Sequence, residues 1–318
     1  MGTSLGIIGG RPATVFIRNE KMIYSRCSTA DGSGNWNNIT VNSAKFITDV
    51  SDPIELNGGI FILMWRDFGE TRSVTAATSR DIENPTWNII GITAVKLRPN
   101  SVTSGLTPIV YNGIPQFAIH SHRKEFNNDV LFYYEAQNNI GIGWTSRRYG
   151  TYVFINNPTA IVTPNNEVAI YYAFSDDESF IGEFTGQIRN SDGNFVPLAS
   201  PIIENFYVPD FRFSCNNVNG NVAVAYFISF LPFPFPFNLV YQYSDPSGKN
   251  WREPVPIKVL FFPGTSVSLL RLADINNAPC VVTYEIRASG LNNYIYYRGG
   301  DPSTFVQDSD VTANYSLN

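Results

Sequence analysis

Short β-type apolar runs, punctuated by turn residues, fill the chain from end to end. The stretch from Thr159 to Phe195 shows the unit. Thr159–Thr163 reads as a strand, Asn165-Asn166 turns the chain, and Glu167–Phe174 returns as a second strand. The polar segment Ser175–Ser179 leads to a third strand over Phe180–Ile188, and Asn190–Asn194 turns into a fourth that opens at Phe195. The runs are rich in Val, Ile, Tyr and Phe, which suit a pleated, half-buried surface. No segment carries a capped apolar stripe of helical period.

This unit recurs. One aromatic follows a turn-rich stretch at Trp36, Trp87, Trp144, Phe195, Trp251 and Phe305, at intervals of 51 to 57 residues. A second marker, a turn of small residues before a β-rich run, falls at Gly9-Gly10, Gly58-Gly59, Asn112-Gly113, Asn165-Asn166, Asn219-Gly220 and Asn276-Asn277. Two markers with one period leave no room for a second domain. Four antiparallel strands per copy, six times, predict an all-β fold: a single six-bladed β-propeller spanning 1–318. The blades fall at about 1–44, 45–98, 99–150, 151–203, 204–258 and 259–318. The first and last copies resemble the others, which favours closure into a ring over a capped solenoid. The recurring aromatic is expected to open each blade's outer strand and pack against the next blade.

Composition narrows the function. The 318 residues are 15% charged and 14% aromatic with a formal net charge of -5. An acidic balance without Lys/Arg runs argues against nucleic acid. Cys27, Cys215 and Cys280 are too scattered for a disulfide framework or a zinc site. No cofactor and no membrane span is expected. The N-terminus shows no secretory signal, so the expected location is the cytoplasm or an assembled viral or phage particle.

The turns before the aromatics carry a family resemblance. Thr29-Ala30-Asp31-Gly32-Ser33-Gly34-Asn35-Trp36 and Ser244-Asp245-Pro246-Ser247-Gly248-Lys249-Asn250-Trp251 resemble the Asp-box, or BNR repeat, of sialidase-like propellers. The other copies are degenerate: Asp81 before Trp87, Asn138-Asn139 before Trp144, Asp192-Gly193 before Phe195, and Asp301 before Phe305. The logic is local, because Asp accepts backbone N–H groups in the turn, Gly takes a positive φ, and Trp plugs the blade. The resemblance implies a propeller and brings with it sialidase chemistry: an Arg-Ile-Pro motif, an arginine triad, a Tyr–Glu nucleophile pair and an acid/base Asp. Arg11-Pro12 lacks the Ile, and Pro115 and Pro279 occupy the same place in other copies, so Pro12 reads as turn chemistry. The implied member is therefore non-catalytic.

Binding candidates come from the opposite end of the blades. The end of each second strand places Arg18, Arg66 and Glu285 in one sector, a clamp for a sugar or carboxylate or else an inter-blade ion pair. Asp210 and Arg212 enter the fifth blade's inner strand. His120 and His122 are weak metal candidates, short of a paired third ligand, so no metal is expected. The acidic Asp176-Asp177-Glu178 reads as a solvated loop. In the fifth copy Phe230-Leu-Pro-Phe233-Pro-Phe235-Pro-Phe237 replaces the polar loop of the other copies. Its prolines keep it out of a sheet ladder, and its phenyl rings fit either a partner contact or a lid.

The sequence thus reads as a recognition or assembly module that binds a glycan or a protein partner, as in a virion component or another oligomeric particle. The alternatives are a sialidase-like glycoside hydrolase with drifted motifs and a purely structural scaffold.

Overall fold

The computed structural model describes residues 4–43, 45–68, 71–96, 106–123, 126–228, 237–260, 266–275, 277–286, 292–299 and 305–311. Contacts divide the chain into two units, Met1–Ala160 and Ile161–Asn318. Among the described residues the strands form six antiparallel sheets, each following the chain order.

The first unit holds three of them. Sheet one is β1 (Gly6–Ile8), β2 (Arg11–Arg18), β3 (Lys21–Cys27) and β4 (Trp36–Ser43). Sheet two is β5 (Ile47–Val50), β6 (Ile54–Leu56), β7 (Gly59–Asp67), β8 (Thr71–Ser79) and β9 (Asn88–Lys96). Both β5 and β6 pair with β7, because Ser51-Asp52-Pro53 breaks the first strand where Pro53 has no N–H to donate. Sheet three is β10 (Ile109–Tyr111), β11 (Ile114–Arg123), β12 (Asn128–Ala136) and β13 (Trp144–Tyr152).

The unit boundary falls inside β14 (Phe154–Val162), which opens sheet four. That sheet continues with β15 (Val168–Ser175), β16 (Ile181–Arg189), β17 (Phe195–Pro197) and β18 (Ile203–Tyr207). The last strand also pairs with β16, so Ile203–Tyr207 belongs to the fourth sheet. Sheet five is β19 (Arg212–Val218), β20 (Asn221–Ile228), β21 (Phe237–Tyr243) and β22 (Val255–Leu260). Sheet six is β23 (Ser266–Ile275), β24 (Ala278–Ile286), β25 (Asn292–Gly299) and β26 (Phe305–Val311).

The hairpin between the first two strands of a sheet is set by backbone handedness. Positive φ occurs at both turn residues in Gly9-Gly10, Asn57-Gly58, Asn112-Gly113 and Asn219-Gly220. Such paired left-handed residues match the twist of flanking strands, and Asn and Gly tolerate them best. In sheet two the turn is Asn57-Gly58, one residue before the expected Gly58-Gly59.

Packing follows from period-two alternation. In β7, Ile60, Ile62 and Met64 join a core with Val15 and Tyr24 of sheet one. Phe61, Leu63 and Trp65 join another with Phe117, Ile119 and Tyr134 of sheet three. A strand buried on both faces carries a continuous apolar run, as this one does. In the second unit β20 contributes Ala223, Ala225 and Phe227 to a core shared with Leu270, Leu272 and Val281.

Candidate functional site

The turns before the aromatics are built on one acceptor. Asp31 Oδ1 accepts the Ser33 N–H at 3.1 Å and the Thr29 hydroxyl at 2.6 Å. Asp81 Oδ1 accepts the N–H groups of Glu83 and Asn84 at 2.8 and 3.0 Å. Asn138 Oδ1 accepts those of Ile140 and Ile142 at 3.2 and 2.9 Å. Asp245 Oδ1 accepts the Ser247 N–H at 3.1 Å. In the fourth repeat the acceptor is Asn190, to which Asp192 and Asn194 donate at 3.1 and 2.9 Å, so Asp192 is a donor and not the anchor. Hydrogen bonds from Thr29 and then Ser33 hold the Asp31 carboxyl at about 2. Partial burial raises Asp245, but bonds from Ser247, Asn250 and the Lys249 N–H outweigh it and leave it at about 2.

The aromatics pack backward along the chain, contrary to expectation. Trp87 meets Tyr24 of sheet one edge-on at 5.5 Å. Trp144 lies against Phe61 of sheet two at 6.1 Å and against its own sheet's Phe117 at 5.2 Å. Trp251 meets Tyr171 of sheet four at 5.5 Å. The indole N–H of Trp144 donates to Gly141 O and that of Trp251 to Gly248 O. Trp36 does not plug a core, being 41% exposed. Phe195 is buried; Phe305 opens β26, its side chain beyond the description, and Asp301 lies outside the described residues.

Polar side chains fasten these turns to the neighbouring sheet. Arg26, 7% exposed, donates to Ile8 O and Ile82 O and pairs with Glu83 at 3.0 Å, drawing the Glu83 carboxyl below its usual range. Asn57 Nδ2 donates to Gly113 O at 3.2 Å and Asn139 O at 2.8 Å.

These ties shape a groove between sheets two and three. Its volume is about 490 Å³, and its lining includes Leu56, Ile60, Thr78, Arg80, Asn88 and Ile142. Leu56 and Ile60 are buried, whereas Ile142 is 42% exposed. Ile140 and Ile142 are fixed by Asn138, and Gly141 (φ +75) sits on the Phe61 ring, where an added Cβ would come to 3.0 Å. The sequence did not single out this groove. Its lining comes from three separated segments, and the one signal was a pair of isoleucines in an otherwise polar turn.

The residues singled out by sequence stand elsewhere. Arg18 ends β2 and is exposed; Arg66 sits near the end of β7, with its Nε buried and unpartnered among the described residues. Glu285 lies on β24 and Asp210 ends a short 3-10 turn, Val208–Asp210; both side chains are beyond the description. Arg212 donates to Pro209 O and Phe211 O, tying the entry of β19 to its own turn. His122 Nδ1 lies 2.9 Å from Asp129 Oδ1, while Asp129 Oδ2 accepts the Ile155 N–H and His120 is buried. Among the described residues no group of three His, Cys, Asp or Glu could hold a metal ion. Phe230, Phe233 and Phe235 lie outside the described residues, and Phe237 opens β21, its side chain beyond the description. The other loops are not uniformly polar, since Phe68 and Phe126 at the corresponding hairpins are 54% and 68% exposed.

No protein-family model and no curated protein matches the chain. Solved structures do. A fungal lectin from Aleuria aurantia, described as a six-bladed β-propeller with a novel fucose recognition mode, superposes with a TM-score of 0.58 at 12% identity, covering 97% of this chain and 94% of that one. The fold is an all-β β-propeller. AofleA from Arthrobotrys oligospora aligns at a TM-score of 0.55 and 11% identity, over 98% of this chain and 85% of its own. Trypanosoma rangeli sialidase, in complex with sialic acid, aligns at 0.56 and 9%, over 92% of this chain but 53% of the sialidase, so the propeller spans about half that protein's length. Among the described residues, no helix is long and apolar enough to cross a membrane.

Proposed function

We propose that this propeller is a non-catalytic, glycan-binding module with six blades and Asp-box-type turns, and that the groove between sheets two and three is a sugar site. One observation carries the reading: a groove of about 490 Å³ in which hydrogen-bonding side chains line an apolar floor. Small-ligand sites span roughly 300–1,000 Å³ and combine such a floor with a few placed polar groups. The side chains of Thr78, Thr86, Asn88 and Asn139 make no hydrogen bond among the described residues, leaving donors and acceptors for hydroxyls. Lectins and sialidases among the structural neighbours support the ligand class. Arg66 is a second candidate contact, at the opposite end of sheet two.

The Phe-Pro segment would add a protein contact, which is how an assembly role in a virion or other particle would enter. A glycan array followed by calorimetry on the intact protein tests the reading. Saturable binding to a defined glycan, weakened by Ile142→Asp, is expected. An array without a hit removes the proposal, and turnover of an aryl glycoside removes its non-catalytic half.

A further inference from the structure

The groove is uneven in charge. Arg80 is its one charged lining residue, and it is exposed. Other arginines of the same unit have acidic partners: Arg26 and Arg11 pair with Glu83 at 3.0 and 3.7 Å, and Arg72 with Asp67 at 3.1 Å. Arg80 forms no ion pair or hydrogen bond among the described residues. The acids nearest to it in sequence are occupied, since Asp81 Oδ1 takes two backbone N–H groups and Glu83 holds Arg26. The guanidinium is therefore left over at a groove whose walls are fixed by Asn57, Asn138 and Phe61. A planar guanidinium fork matches a carboxylate or a sulfate ester with two parallel N–H donors, which a neutral hydroxyl cannot use equally.

Resting on the glycan-binding reading, we infer that the groove selects a negatively charged sugar ring, a uronate or a sulfated sugar. Arg80 grips the anionic group. Thr78, Asn88 and Asn139 meet hydroxyls, and Leu56, Ile140 and Ile142 lie under the ring's apolar face. The chain's net charge of -5 makes such a preference a local property of this groove and not of the surface as a whole.

Calorimetry with methyl glucuronide, a 6-O-sulfated methyl hexoside and methyl glucoside tests it on the intact protein. The uronate or the sulfate ester is expected to bind about tenfold or more tightly than the neutral glycoside, and the first two arms tell carboxylate from sulfate. Arg80→Gln, at an exposed position, should melt like the parent while losing that preference. Ile142→Asp should abolish binding of both charged probes. Equal affinity for the neutral glycoside, or an unchanged preference in Arg80→Gln, overturns the inference and leaves glycan binding standing. Undiminished anion binding in Ile142→Asp overturns the assignment to this groove, and no binding of any glycoside overturns both readings.

Discussion

The two ends of sheet two behave differently. At the end bearing Asn57-Gly58 and the Arg80–Trp87 connection, Arg26 fastens the turn to sheet one and Asn57 fastens sheet three's turns in place. At the end bearing Arg66, Phe46 and Phe68 contact each other at 5.5 Å yet are 51% and 54% exposed, and Phe46 holds a φ of 70°. A bulky residue in the left-handed region is strained. The first end braces its turns through Arg26 and Asn57 and leaves the side chains of Thr78, Arg80 and Thr86, among the described residues, unpaired in the groove beside them. The second sets two exposed rings beside the Asp67–Arg72 ion pair, and exposed loops on a rigid scaffold are common binding elements. A site can thus rest on braced turns or on exposed loops, and sequence reasoning looked only for the second kind.

The contrast can be broken hardest at the braced end. Phe61→Ala removes a fully buried ring on which both Gly141 and Trp144 rest. A loss of about 3–5 kcal/mol in urea unfolding is expected, together with loss of groove binding. A loss under about 1 kcal/mol would mean that packing does not hold this end.

The bracing turns carry a pH signature. Asp245 lies near 2 when folded against an ordinary value of 3.8, so its ionised form stabilises the fold above about pH 4 and that contribution fades as pH falls through 2. Asp245→Asn should cost about 1–2 kcal/mol at neutral pH after solvent screening, with the gap to the parent closing between about pH 4 and 2. Parallel urea titrations across that range measure it, and a gap constant with pH would refute the role of the charge.

The smallest effect belongs to the open end. Phe68→Ser should change unfolding by no more than about 0.5 kcal/mol. A larger loss would show that this ring is structural and erase the difference between the ends.

What was legible in the sequence was what repeats. Asn112-Gly113 and Asn219-Gly220 announce their hairpins because few other residues accept two left-handed positions in a row. The groove was not legible because Leu56, Thr78, Asn88 and Ile142 are ordinary residues until pairing brings them together. Ile60 opposite Ser79 and Phe61 opposite Thr78 set one wall, and no local pattern encodes the approach of Asn139–Ile142. The direction of aromatic packing was missed for a similar reason, since spacing reports which residue recurs and not which neighbour it meets. Trp36, sharing the spacing but exposed, shows that limit within one chain.

The turns also bear on how far such a chain can drift in sequence. Asp31, Asp81 and Asp245 present a carboxylate oxygen to the turn, Asn138 and Asn190 an amide oxygen, and each of them takes peptide N–H groups. A peptide N–H is supplied by every residue except proline, so most letters between acceptor and aromatic can change, the exceptions being glycines such as Gly141 and Gly248, which hold positive φ against Phe61 and Tyr171. Copies can diverge until a motif search no longer links them while the loop they draw in space persists. Among the described turns, inheritance of this architecture rests on a sparse code: an acceptor oxygen, in most of them a glycine at positive φ, and at Trp87, Trp144 and Trp251 a ring packed on the neighbouring sheet.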